Sequence, residues 1–194
     1  WADNLSMVMF IVFPWIYNLK CMGGWSEKGF VQVYISVVIA YAVTRWIFGD
    51  GLGIGLDLFG LSIGLWVISE SLHRFWSPTF RWASGFVGFV VAAAFGIMPT
   101  EILQDPETYW WTILFWVPAI FSKQAPDTER TYNPWFYLGV VTYFTAFTIW
   151  LNQWSDLLCY PDSWFQPHAA WHLLSALSTW FFFVFFRTEK VIKE

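Results

Sequence analysis

The run Phe30-Val-Gln-Val-Tyr-Ile-Ser36-Val-Val-Ile-Ala40-Tyr-Ala-Val-Thr-Arg45-Trp-Ile-Phe48 decides the solvent in which this chain folds. Its only formal charge is Arg45. A helix needs roughly 20 mostly apolar residues to cross the hydrocarbon core of a bilayer, and this run has that length. In lipid such a segment must be helical, because an open sheet would leave backbone donors and acceptors unpaired.

The rest of the chain has the same character. Of 194 residues, 57% are hydrophobic and only 12% charged, about half the charged share of an ordinary soluble domain. Sixteen Trp, 21 Phe and 8 Tyr exceed what a small water-soluble core can enclose, whereas lipid can solvate them. Between polar breaks, seven segments qualify as spans: 5–18, 30–48, 53–70, 80–98, 108–121, 134–154 and 167–186. Breakers separate them, among them Gly23-Gly24, Gly49-Asp50-Gly51, Pro78, Pro99, Pro126 and Pro161. The expectation is an all-α integral membrane bundle of seven transmembrane helices, a single domain over residues 1–194.

Charge gives this bundle an orientation. Seven alternating spans place Lys20, Lys28, Arg74, Arg81, Lys123, Arg130, Arg187, Lys190 and Lys193 on one face, and only Arg45 on the other. The positive-inside rule makes the basic face cytoplasmic, with the N-terminus outside and the C-terminus inside. Asp3, Asp50, Glu101, Asp105, Glu107, Asp156 and Asp162 fall on the outer, periplasmic or lumenal, face. Cys21 and Cys159 then lie at opposite faces and cannot bridge, since a disulfide needs Cα atoms within about 7 Å. The basic residues form no run suited to nucleic acid. No Lys lies in the seventh span to carry a Schiff base, and no matching pair of broken helices points to a transporter.

Residues able to do chemistry are few. His168 and His172, in Pro167-His-Ala-Ala-Trp-His172, stand one helical turn apart on one face. That spacing offers two imidazoles to one zinc ion, and a polar residue in a membrane span is a functional candidate by default. The alternative is an interfacial pair hydrogen-bonded to loop carbonyls and water. A catalytic zinc needs a third protein ligand and an open position. His73, in Ser69-Glu70-Ser71-Leu72-His73, ends span three, at the face opposite the start of span seven. It reads as an interfacial residue beside Arg74, and Glu70 as a carboxylate able to reach the same interface. Asp50 and Asp57 are the carboxylates on the side of the histidine pair, as third ligand or as the base that orients a metal-bound water. For Asp50 a loop or capping role competes with this.

The segment Asp156-Leu-Leu-Cys159-Tyr-Pro161-Asp-Ser-Trp-Phe-Gln166-Pro-His168-Ala-Ala-Trp-His172-Leu-Leu-Ser175-Ala resembles the last loop and seventh helix of the alkaline ceramidase family. Asn4-Leu5-Ser6 also looks like that family's first-helix pattern. The resemblance implies seven helices and a zinc-dependent amidase acting on ceramide-type lipids. The family's site combines a Ser-x-x-x-His in helix two, an Asp early in helix three and the His-x-x-x-His of helix seven. His168 and His172 supply the last element, and Ser36 matches the serine. The helix-two histidine falls on Ala40, and the aspartate falls at Gly51, next to Asp50.

Two functions follow as expectations. The first is a ceramidase-like hydrolase with weakened or lost activity. Its metal would sit on His168, His172 and Asp57, with Ser36 and Asp50 assisting an attack on a lipid amide. The second is a non-catalytic accessory or scaffold subunit of a larger membrane complex, respiratory or photosynthetic. Its partners would be membrane lipids and other subunits, and its aromatic load would serve contacts with them.

Overall fold

A computed structural model describes residues 2–152 and 166–192. The described chain is all-α apart from one two-residue strand pair, and it divides into two compact units, Trp1–Asp127 and Thr128–Glu194. Trp154 at the end of the sixth segment, Cys159, the loop part of the ceramidase-like segment and Lys193 lie outside the described residues.

The first unit opens with α1 (Ala2–Gly23) and α2 (Glu27–Phe48), each 22 residues. Helix α1 outruns the expected 5–18 because its polar residues, Asp3 and Lys20, fall in its first and last turns. There a charge complements the helix dipole rather than ending the helix. Ser26 caps α2, its Oγ accepting from Gly29 N at 3.1 Å. A short 3-10 turn (Asp50–Gly53) leads to α3 (Leu58–Arg74). The expected fourth span is broken at Ser84 into α4 (Pro78–Ala83) and α5 (Gly85–Ala94). Ser84 Oγ bonds back to Arg81 O at 2.7 Å, a side-chain bond that competes with the helix ladder. After α6 (Pro99–Gln104), the fifth segment is a 3-10 stretch (Trp110–Trp116) running into α7 (Val117–Phe121).

Contacts within this unit fix an up-and-down order. Tyr34 Oη donates to Met9 O at 2.9 Å, and Phe30 packs edge-on against Phe13 and Tyr17, so α2 runs antiparallel to α1. Asn18 near the end of α1 meets Ser69 and Glu70 near the end of α3, so those two run parallel. Phe115 fills the middle of the unit against Gly64 and Gly88. A Cβ on Gly88 would stand 2.3 Å from that ring, so only glycine admits this approach. Arg81 Nε donates to Ala119 O at 2.6 Å, and Lys123 N to Met22 O at 2.8 Å. The start of α4 and the ends of α7 and α1 therefore share one end of the unit. Trp110 Nε1 reaches Ile54 O at 3.3 Å at the other end.

The second unit is an antiparallel pair, α8 (Trp135–Asn152) and α9 (Pro167–Arg187). Ser178 Oγ donates to Gly139 O at 2.8 Å, and the Phe182 ring lies where a Cβ on Gly139 would be. Phe136 packs on Phe182 and Phe185, and Trp150 on Trp171, down the length of the seam. Strands β1 (Thr128–Glu129) and β2 (Lys190–Val191) close one end, beside the buried ion pair of Arg130 Nε with Glu189 Oε2 at 2.9 Å.

Helices α1, α2 and α9 are long and apolar enough to cross a membrane. Only Phe30 and Tyr41 of α2 are buried. An apolar helix exposed around most of its circumference suits lipid as solvent and not water.

Candidate functional site

Helix α9 begins at Pro167, whose fixed φ and missing N–H suit a first helical turn. His168 and His172 follow on one exposed face, and their Nε2 atoms stand 3.0 Å apart. The rings meet edge-on with centroids 4.7 Å apart. Trp171, buried, backs both imidazoles, at 5.4 Å from His168 and 4.4 Å from His172. Trp150 of α8 supports Trp171 in turn.

Two chemistries fit that separation. One imidazole can donate its proton to the other. Alternatively, both can hold one tetrahedral zinc, since Zn–N bonds of about 2.0–2.1 Å put two ligand nitrogens about 3.3 Å apart. The pair supplies two ligands. Among the described residues no group of three or more His, Cys, Asp and Glu side chains is placed to hold a metal ion. The described residues thus fall one ligand short of a catalytic zinc site.

The other sequence candidates belong to the first unit. Ser36 and Ala40 lie exposed on α2, one turn apart. Ala40 O accepts from Thr44 Oγ1 at 2.7 Å. Asp50 forms an ion pair with Arg45 across the end of α2. Asp57, which falls within the expected segment 53–70, precedes the helix there: it is the N-cap of α3. Its carboxylate accepts from Phe59 N at 3.0 Å and Gly60 N at 3.1 Å, so both oxygens serve the first turn. The glycine run ahead of it, Gly51, Gly53 and Gly55, delays the helix and turns the expected intramembrane acid into its cap.

The structure also assembles a polar cluster near the end of α3. Glu70 and His73 are buried within the unit, at 5% and 6% exposure. Asn18 Nδ2 donates to Ser69 Oγ and to Glu70 Oε2, each at 3.0 Å, and Ser69 Oγ donates to Trp66 O at 3.0 Å. Bonding of this kind is what makes a buried carboxylate tolerable. One signal pointed to it: Asn18, Ser69 and Glu70 are polar residues set into otherwise apolar helices.

Comparisons with protein-family models, with characterised proteins and with solved structures find no match to this chain.

Proposed function

We propose that this chain is an integral membrane protein of seven spans, built on a ceramidase-like plan, in which zinc-dependent lipid amide hydrolysis is weakened or lost. The spans are α1, α2, α3, the α4–α5 pair, the Trp110–Phe121 segment, α8 and α9. The N-terminus lies outside and the C-terminus in the cytoplasm. The alternation within each unit and the three long apolar helices support this reading.

The observation that carries the functional part is the His168–His172 pair, two imidazoles at near-chelating distance with alanine at position 40. The ceramidase-like plan needs a third imidazole there. Two histidines hold zinc more weakly than three protein ligands, and the activation of a bound water depends on a fixed, complete ligand set. The test is metal content and ceramide turnover of the purified protein. Zinc is expected below one equivalent in the wild-type chain, with no ceramide hydrolysis. Stoichiometric zinc with ceramide turnover in the wild type would contradict the loss of activity.

A second reading, an accessory subunit of a larger membrane complex, draws on α2. This helix leaves all but two of its residues less than fully buried. Purification in mild detergent tests it: co-purifying subunits in fixed ratio support it, and a lone monomer contradicts it.

A further inference from the structure

The two ends of the first unit differ sharply in charge. One end carries Lys20, Lys28, Arg74, Arg81 and Lys123, five of the unit's six Lys and Arg residues. The hydrogen bonds Lys123 N to Met22 O and Arg81 Nε to Ala119 O tie the α1 end, the α4 start and the α7 end into one surface. Its carboxylates are Glu27, which Lys20 holds at 2.7 Å, Asp127, and the buried Glu70. The other end has Asp3, Asp50, Asp57, Glu101, Asp105 and Glu107 against Arg45 alone.

Exposed aromatic rings stand among the cations of the basic end. The Arg74 guanidinium lies 5.2 Å over the Phe75 ring, and that of Arg81 lies 5.0 Å over Trp82. Phe75, Trp82 and Phe121 are 60%, 55% and 44% exposed. Of these rings Trp82 is amphipathic; a ring of that kind settles at headgroup depth, and it would hold the neighbouring Arg81 at the level of lipid phosphates. Lys28 and Lys123 are exposed at the same end.

We infer that the basic end of the first unit selectively binds anionic phospholipid headgroups, with Lys28, Arg74, Arg81 and Lys123 as the binding cations. The inference rests on the membrane-spanning reading. Each cation near an anionic lipid surface is worth about a fivefold preference, and the effect is screened by salt.

The test uses the full chain reconstituted in bilayers, with its tryptophans as reporters. Quenching by brominated phosphatidylglycerol is compared with quenching by brominated phosphatidylcholine. The wild type is expected to prefer the anionic lipid by about fivefold or more at low salt. The double variant Lys28→Gln/Lys123→Gln is expected to lower that preference at least about fivefold, and inorganic phosphate at constant ionic strength is expected to leave it unchanged. Equal quenching by the two lipids, or an undiminished preference in the double variant, overturns the inference. Removal of the preference by phosphate also overturns it, in favour of a free-phosphate site. If neither lipid quenches, the membrane-spanning reading itself fails.

Discussion

Asn18 shows how a single polar residue can organise two helices. Its amide donates to Ser69 and Glu70, whose positions lie more than fifty residues further along the chain. Removing the donor leaves the Glu70 carboxylate short of a partner, at a cost of about 1–3 kcal/mol or more for a charged group. Asn18→Leu is therefore expected to lower the melting temperature of the detergent-solubilised protein by several degrees, read by a thermal-shift assay. An unchanged melting temperature would show that the bond contributes nothing. This cluster was barely legible in the sequence. Spacing located Glu70 and His73 near a span end, but it did not give the rotation of α3 against α1, and rotation decides burial. The histidine pair was legible, because an i, i+4 relation is fixed by the helix itself. His168→Ala and His172→Ala are each expected to abolish whatever zinc the protein retains, measured by elemental analysis. Retention in both would place the metal elsewhere.

At the scale of the element, ends and close approaches carry the information. The Asp57 cap satisfies two backbone donors at the start of α3. Asp57→Ala is expected to cost about 1 kcal/mol, and Asp57→Asn or Asp57→Ser to recover most of it, by chemical or thermal unfolding. If Asp57→Ala leaves stability intact, the cap contributes nothing. Gly88 makes a sharper case, because a methyl there collides with the Phe115 ring. Gly88→Ala is expected to destabilise by about 1–3 kcal/mol through overpacking, and the double variant Gly88→Ala/Phe115→Leu to recover part of the loss. The seven apolar segments were legible from hydropathy, and each is helical over most of its described length. Their boundaries were not. Polar end residues were counted out of α1 although a helix end accommodates them, and Asp57 was counted into α3 although it precedes the first turn. The break at Ser84, where its Oγ bonds back to Arg81 O, is a local feature that hydropathy does not register.

The molecule is built of apolar helices whose direction alternates within each unit, and in the first unit the charges separate to opposite ends. Charge segregation was readable from loop order alone, and the contacts within the first unit gather Lys20, Arg81 and Lys123 at one end as that order requires. The ligand set was less readable, because it depends on which helices face one another. The central claim is seven spans with the basic ends in the cytoplasm. It is tested most directly by single-cysteine labelling in a Cys21→Ala/Cys159→Ala background, with a membrane-impermeant maleimide applied to intact cells. The exposed positions Glu101→Cys and Gly49→Cys are expected to label from outside. Lys28→Cys, Lys123→Cys and Thr188→Cys are expected to label only after permeabilisation. Labelling of both sets from the same side would contradict the account.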